Sequence, residues 1–187
     1  SYCIRPMDVA VAAKALAGST VNVCTVIGFP HGSTTSATKV FETQDAIANG
    51  ATEIDMVINV SALLSGDYDF VEQDIRGVVD AAHAKGASVK VIFETAFLND
   101  EQIVKACELS EKAGADYVKT STGFASAGAT THNVALMKQT VGDRLKVKSS
   151  GGVRTLDQLI DYMDLGVTRS GCSATEQVLE EFIAKAQ

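Results

Sequence analysis

The chain has 187 residues, 46% of them hydrophobic, which is enough to bury a full core, and we expect one domain over residues 1–187. The formal net charge of −7, without a basic cluster, argues against a nucleic-acid partner because phosphate neutralisation needs concentrated Lys and Arg. No apolar run reaches the roughly 18 residues that a membrane span needs. Four widely spaced cysteines argue against a disulfide framework or a zinc ribbon and favour a reducing cytoplasm.

Along the chain, short β-branched runs alternate with longer stretches of helical periodicity. The pattern predicts seven strands, over residues 2–5, 21–28, 53–59, 88–94, 117–121, 145–150 and 169–173. Apolar residues at three- and four-residue spacing predict helices over residues 67–85, 100–113 and 156–165. Thr155, followed three residues later by Gln158, predicts a capping box at the start of the last of these helices.

Strict alternation of strand and helix predicts a parallel sheet covered on both faces, as an open doubly wound sheet or a closed (β/α)8 TIM barrel. Charged residues within the predicted strands favour the barrel, because a barrel can gather them around its axis whereas an open sheet would bury them against its helices. These residues are Glu53, Asp55, Lys90, Glu94, Lys119 and Lys148. Such a barrel has eight strands and this chain begins almost directly with YCIR, so we expect that the first strand and helix are missing.

Side chains alternate between the two faces of a strand, so Lys119, Lys148 and Asp55 can converge on the barrel axis from three separate strands. One interpretation is a structural ion network, because buried charges usually exist in pairs. The other is a reactive lysine, because a neighbouring ammonium and a partly dry interior lower a lysine pKa. A neutral amine attacks a carbonyl to form a Schiff base, and Lys148 and Asp55 would then transfer protons. The presence of two lysines favours this second interpretation.

Glycine-rich turns after two consecutive strands predict an anion site. Gly151 and Gly152 lie in SSGGVRTLDQ, and Gly171 and Ser173 lie in SGCSATEQ, each between a predicted strand and a helix start. Glycine lets the backbone approach a ligand, and free N–H groups at the helix start favour an anion. Plain tight turns without a ligand are the alternative. Cys3, within the first predicted strand, is expected to line the pocket.

Five ordered motifs resemble the successive strand motifs of the deoxyribose-phosphate aldolases, a family of class I aldolases. They are VCTVIGFPHG, EIDMVINVSALLSGDY, YVKTSTGF, VKSSGGVRT and TRSGCSA, and the match runs from Tyr2 to about Gln177. The resemblance implies that Lys119 forms the Schiff base and that Lys148 and Asp55 transfer protons. It also implies reversible cleavage of 2-deoxy-D-ribose 5-phosphate to acetaldehyde and D-glyceraldehyde 3-phosphate, without a metal or an organic cofactor.

The same resemblance implies that the phosphate of the substrate is held by Gly151, Gly152 and Ser173, with Gly123 beside them. The family has a strand and helix before the segment that corresponds to YCIR. An open seam in the barrel would favour self-association, so we expect a homodimer or another homo-oligomer. The partner implied is a small phosphorylated sugar, with no membrane and no nucleic acid.

Three alternatives accompany this interpretation. A metal-dependent aldolase would need a cluster of His and carboxylate ligands, and the histidines of this chain show no ligand spacing. Another Schiff-base barrel, such as a transaldolase or a fructose-bisphosphate aldolase, would use the same lysines on a different phosphosugar. A non-catalytic protein would hold the phosphosugar without cleaving it.

Overall fold

The strands form one parallel sheet in which each strand pairs with its neighbours in chain order. The computed structural model describes residues 1–186. The strands are β1 (Tyr2–Ile4), β2 (Val23–Ile27), β3 (Glu53–Val57), β4 (Ser88–Ile92), β5 (Tyr117–Lys119), β6 (Lys146–Val153) and β7 (Arg169–Cys172). Each strand falls on a segment that the sequence pattern predicts. Six of the seven end one or two residues before the predicted boundary, and β6 ends three residues beyond it.

Helices connect the strands in the order that a parallel sheet requires. They are α1 (Val9–Ala15), α2 (Ser36–Ala48), α3 (Val60–Leu64), α4 (Tyr68–His83), α5 (Asp100–Lys112), α6 (Thr131–Val141), α7 (Leu156–Asp164) and α8 (Thr175–Ala186). The predicted capping box is present, because Thr155 accepts from the backbone of Gln158 and the side chain of Gln158 accepts in return. Within residues 1–186, no helix combines the length and the apolar character needed to cross a membrane.

The hydrophobic core lies between the sheet and the surrounding helices. All five residues of β3 are buried, which shows that both faces of this strand are covered. Ile54 and Met56 face outward and join the core together with Ile75 and Val78 of α4. The alternate positions of β3, including Asp55, face the axis of the curved sheet. The period-two alternation of β3 therefore separates an apolar outer layer from a polar interior.

The architecture is of the (β/α)8 TIM-barrel type, with seven strands in the described residues. Among residues 1–186, β1 and β7 each pair with one strand only, and a seam separates them. Arg169 of β7 crosses the seam and donates a hydrogen bond to Ser1 Oγ at 2.6 Å. The barrel class that the charged strand residues predict is thus confirmed.

Strand β6 differs from its predicted form in a way that shapes the site. It continues through the two glycines to Val153, and its register with β7 shifts between Ser150 and Val153. Gly151 and Gly152 form this bulge with φ of 82° and 76°, a backbone conformation that favours glycine. The predicted glycine turn is therefore a bulge within the strand.

A buried ion pair outside the barrel axis joins two of the outer helices. Lys39 of α2 has no exposed surface, and its ammonium donates to the carboxylate of Asp74 on α4. The same Nζ donates to Val57 O, at the end of β3, at 2.9 Å. This lysine ties both helices to the sheet.

Candidate active site

Asp55 lies at the centre of a buried cluster of charges on the barrel axis. Its Oδ2 accepts hydrogen bonds from Lys119 Nζ at 2.6 Å and from Lys148 Nζ at 2.7 Å. Its Oδ1 accepts from Lys90 Nζ at 2.9 Å. One carboxylate therefore contacts three ammonium groups, and two of these share a single oxygen atom.

The sheet register explains why these side chains meet. Residues paired across parallel strands point to the same face, and Lys119 of β5 is paired with Lys148 of β6. Asp55 of β3 is paired with Lys90 of β4 in the same way. Because the sheet curves, the β3 and β4 side chains approach those of β5 and β6 across the axis. The structure brings together the three residues that the sequence pattern selects for chemistry.

A second layer of charge lies nearer the amino ends of the strands. Glu53 Oε2 accepts from Lys90 Nζ at 2.7 Å, and Glu53 Oε1 lies 2.7 Å from Arg169 Nη2. The Tyr117 ring has Lys90, Lys146 and Arg169 within 5.6, 5.3 and 5.9 Å of its centroid, distances that suit cation–π contacts. Two carboxylates, Asp55 and Glu53, thus stand among several cations.

The surrounding cations keep both carboxylates ionised. Burial alone would raise the pKa of Asp55, but the charges of Lys119, Lys148 and Lys90 outweigh burial and hold that pKa well below its usual range. Burial acts in the same direction on Glu53, yet its hydrogen bond from Lys90 and its contacts with Asn22 and Arg169 lower its pKa to about 2. At neutral pH both carboxylates are ionised, so they accept hydrogen bonds and do not donate them.

For Lys148 the expected lowering of the lysine pKa is wrong in this structure. Burial does push the pKa of Lys148 down, but attraction to Asp55 and the hydrogen bond to it outweigh burial, and the pKa is raised. The same competition, with attraction to Asp55 and Glu53 dominating, raises the pKa of Lys90. Lys148 is therefore an ammonium group at neutral pH, suited to donate a proton.

The glycines predicted to hold an anion lie close to this cluster. A Cβ on Gly151 would come within 3.7 Å of Gly123 Cα and 2.9 Å of Gly128 Cα, so the backbone after β5 lies directly against the β6 bulge. A Cβ on Gly171 would lie 3.7 Å from Lys148 Cε. Gly152, by contrast, faces open space. Gly123 and Gly151 therefore lie close to each other, and Gly171 lies beside Lys148.

The predicted anion site also includes Ser173 and the start of α7. Ser173 follows β7 and is exposed. Two amides at the start of α7 are occupied, because Gln158 N donates to Thr155 Oγ1 and Leu156 N donates to Glu181 Oε2 at 3.0 Å. For these two amides the prediction of free N–H groups for an anion is wrong, whereas the glycine bulge remains open to a ligand.

Two cavities give access to the lysines. The first, of about 510 Å³, opens among the carboxyl ends of β1, β2 and β5 and is lined by Lys119. The second, of about 460 Å³, lies along the seam and is lined by Lys148 and Arg169. Cys3 lines both cavities, so it lies in the pocket as predicted. Carboxyl-end cavities are where barrel enzymes carry out their chemistry.

Sequence reasoning missed the contacts of two contributors to the site, Lys90 and Glu94. The sequence pattern identifies Lys90 only as a strand charge, although its register partner on the adjacent strand is Asp55. The period-two pattern of β4 and the chain-order arrangement of a barrel could have placed it beside Asp55. Glu94, just after β4, accepts from Thr122 N and from the Thr122 hydroxyl, which fixes the loop after Lys119. No sequence signal indicated this long-range contact.

One group of side chains has donor atoms close enough to hold a metal ion. The ligand atoms of Cys3, Cys24 and Asp55 lie within 4.8 Å of one another. Asp55, however, already contacts three ammonium groups, and these would repel a cation. The charge around the cluster therefore suits an anion or a carbonyl oxygen better than a metal ion.

The fold and this site define the chain as a barrel enzyme of the aldolase class, with paired lysines on its axis. The sequence profile described as DeoC/LacD family aldolase matches residues 1–172. The chain belongs to the DeoC/LacD aldolase family.

Curated and solved relatives agree with this membership. A deoxyribose-phosphate aldolase of Staphylococcus haemolyticus is 59% identical over 180 residues, which cover 96% of this chain and 81% of that protein. A crystal structure of a putative deoxyribose-phosphate aldolase from Coccidioides immitis superposes with a TM-score of 0.93 at 43% identity, covering 96% of this chain and 72% of the other. The deoxyribose phosphate aldolase from Aeropyrum pernix, whose structure is described as a unique tetramer, superposes with a TM-score of 0.88 at 32% identity. The match covers 96% of this chain and 76% of the other.

Proposed function

We propose that this chain is a class I aldolase that reversibly cleaves 2-deoxy-D-ribose 5-phosphate to acetaldehyde and D-glyceraldehyde 3-phosphate through a Schiff base on Lys119. The observation that carries the proposal is the contact of Lys119 Nζ and Lys148 Nζ with the same oxygen of Asp55. The names of the relatives indicate the substrate, and the glycine bulge beside the lysines suits its phosphate.

Lys119 is placed to act as the nucleophile, in an axis cluster that holds more cations than carboxylates. Asp55 and Glu53 provide two negative charges to the axis, whereas Lys90, Lys119, Lys148 and Arg169 provide four positive charges there. Lys119 also lines the cavity at the carboxyl ends of the strands, where an aldehyde can enter.

The chemistry then follows from these positions. The neutral amine of Lys119 attacks C1 of the open-chain sugar, and loss of water gives a protonated imine that accepts electrons. A base removes the proton of the C3 hydroxyl, the C2–C3 bond breaks, and the electrons enter the imine to give an enamine and glyceraldehyde 3-phosphate. Lys148 and Asp55 transfer the protons in these steps, and Asp55 contacts both lysines. Protonation at C2 and hydrolysis release acetaldehyde.

We assign the phosphate to the region bordered by Gly123, Gly151, Gly152 and Gly171, with Ser173 as an additional donor. Gly151 and Gly152 adopt positive φ in the β6 bulge. Because glycine has no Cβ, the backbone of the bulge can come close to a ligand. The excess of positive charge on the axis also attracts a phosphate, although the chain as a whole is acidic. The phosphate end of the substrate would thus lie on the β6 and β7 side of the lysines.

Reductive trapping tests the proposal directly. The protein is incubated with acetaldehyde and borohydride, and the modified peptide is identified by mass spectrometry. We expect an ethyl group on the peptide that contains Lys119, together with cleavage of deoxyribose 5-phosphate in a coupled assay. Trapping with dihydroxyacetone compounds but not with acetaldehyde would point to a different Schiff-base aldolase. Binding of the phosphosugar without cleavage or adduct would indicate a non-catalytic protein.

We also propose that the chain self-associates and works in the cytoplasm. The apolar side chains of Leu179, Phe182 and Ile183 on α8 are each more than half exposed, which favours a contact with another copy. The four cysteines are free thiols, as a reducing compartment would maintain them. Light scattering of the purified protein and fractionation of cells that express it test the two statements; a monomer, or recovery outside the cytoplasm, would contradict them.

A further inference from the structure

Cys3 and Cys24 form an unusual pair at the wall of the active-site cavity. They are register partners on the adjacent strands β1 and β2, so both side chains point to the barrel axis. Their Sγ atoms lie within 4.8 Å of each other. Neighbouring strands lie about 4.8 Å apart, a separation that falls within the range of about 4.4–6.8 Å between the Cα atoms of disulfide-bonded cysteines. The backbone therefore already holds the two residues at a distance that a disulfide can span.

The two thiols differ in exposure. Cys3 is exposed and lines both cavities, whereas Cys24 is fully buried behind it. A small oxidant that enters the cavity reaches Cys3 first, and Cys24 is the thiol next to it. This is the arrangement of an attacking cysteine and a resolving cysteine.

We propose that Cys3 and Cys24 are an oxidation site that closes to a reversible disulfide when the protein meets a peroxide. The electrostatic surroundings support the division of roles. The contact with Cys24 lowers the pKa of Cys3 to about 7, with help from the charges of Lys119 and Lys148 and in opposition to burial and Asp55. The same contact, together with burial, raises the pKa of Cys24.

The chemistry balances with hydrogen peroxide as the oxidant. The Cys3 thiolate attacks one peroxide oxygen, an S–O bond forms, the O–O bond breaks, and hydroxide leaves to become water. The Cys24 sulfur then attacks the sulfenic acid, an S–S bond forms, the S–O bond breaks, and a second water leaves with the Cys24 proton. Two thiols thus lose two electrons and two protons to one peroxide, which is reduced to two waters.

Formation of the disulfide would alter the catalytic cluster itself. Cys24 Sγ donates to Asp55 Oδ1 at 3.2 Å and lies 3.7 Å from Lys90 Nζ. Oxidation removes this thiol donor from the carboxylate that Lys119 and Lys148 share. We expect the oxidised protein to lose at least about tenfold in cleavage rate, since a hydrogen bond to a charged group contributes roughly that factor. This consequence rests on the proposed function, whereas formation of the disulfide does not.

The other two cysteines, Cys107 and Cys172, differ in whether they can react with peroxide or with Cys3. Cys107 is fully buried on α5, and burial raises the pKa of its thiol, so it is protected from oxidation. Cys172 is partly buried and lines the seam cavity together with Cys3, so it could compete as a partner. The test therefore uses a Cys172→Ser protein as its reference and compares treated with untreated samples of that protein.

The test treats Cys172→Ser protein with a small excess of hydrogen peroxide and then analyses mass, peptides and activity. We expect loss of two hydrogens, a Cys3–Cys24 cross-linked peptide, and full return of mass and activity with dithiothreitol. Adding Cys24→Ser should abolish the cross-link and leave Cys3 to oxidise beyond the sulfenic acid. Adding Cys3→Ser should abolish the cross-link and protect Cys24.

Three outcomes would overturn the inference. Peroxide could leave both thiols unmodified, or it could oxidise Cys3 to the sulfinic acid without any Cys3–Cys24 cross-link. In the protein that retains all four cysteines, Cys172 rather than Cys24 could be the partner of Cys3. Because mass and peptide mapping report these outcomes, a protein that lacked aldolase activity would contradict the proposed function and leave this test intact.

Discussion

Lys119 and Lys148 are register partners on β5 and β6, and both ammonium groups donate to Oδ2 of Asp55, at 2.6 and 2.7 Å. The two nitrogens therefore lie in one small volume on the same side of the sheet. This contact combines the two interpretations that the strand lysines allow. It is an ion network, and it is also the arrangement in which one amine can react while the other remains charged.

Replacement of Lys119 tests which amine reacts. We expect Lys119→Ala to abolish borohydride trapping and to lower kcat by at least about a thousandfold, because no other group then forms the imine. Lys85→Ala, at an exposed lysine after α4, is the control and should retain both activity and trapping. An adduct that persists on the Lys119→Ala protein would show that another residue forms the Schiff base.

Replacement of Lys148 tests the role of the neighbouring charge. Lys148→Met removes a proton donor and one positive charge beside the attacking amine. We expect kcat/KM to fall by about a hundredfold, and the alkaline limb of the pH profile, where the Lys148 ammonium of the parental protein loses its proton, to disappear. Lys146→Met is the matched control, because Lys146 lies two residues earlier on β6, is exposed, and contacts Tyr117 rather than Asp55. A Lys148→Met enzyme with the parental pH profile would argue against this role.

The β6 bulge gives a test of the phosphate site that separates binding from backbone strain. Gly152 and Gly86 both have positive φ, of 76° and 75°, and a Cβ at either position would meet nothing within 4 Å. An alanine therefore strains the backbone by roughly 1 kcal/mol at both positions. Only Gly152→Ala should raise KM for deoxyribose 5-phosphate, while the rate with unphosphorylated deoxyribose should not change. Equal effects on both substrates would mean that the bulge does not hold the phosphate.

The pKa of Glu53 predicts how stability depends on pH. Its folded value of about 2 lies below the ordinary value of 4.5, so its contribution is complete above pH 4.5 and is lost as the pH falls toward 2. Between pH 7 and pH 3 this single group should lower the free energy of unfolding by about 2 kcal/mol. Denaturant titrations of Glu53→Gln protein should show a correspondingly smaller decrease. Parallel curves for the two proteins would contradict the assignment.

Much of the catalytic cluster could be predicted because it depends on short-range rules. Alternation along a strand selects Lys119, Lys148 and Asp55 for one face, and alternation of strand and helix predicts a parallel barrel. The contacts of Lys90 depend on which strands are adjacent. They can be predicted only if the register between β3 and β4 is worked out. The roles of these residues in catalysis, and the single domain, stay predictions.

The anion site shows where sequence reasoning is less reliable. The same motif predicts a capping box at Thr155 and free amides at the same helix start, although a capping box occupies one of those amides, Gln158 N. Glu181 then occupies Leu156 N from α8, a contact between residues that are 25 positions apart. Long-range hydrogen bonds of this kind depend on how the helices pack, which local sequence patterns do not contain.

The ion pair between Lys39 and Asp74 has a consequence for how the barrel unfolds. Lys39 cannot separate from Asp74 without leaving an uncompensated charge among apolar side chains, so α2 and α4 cannot open independently at low cost. The two helices, which lie on either side of β3 in the chain, should open as one cooperative unit. Native-state hydrogen exchange would then report the same opening free energy for amides in both helices.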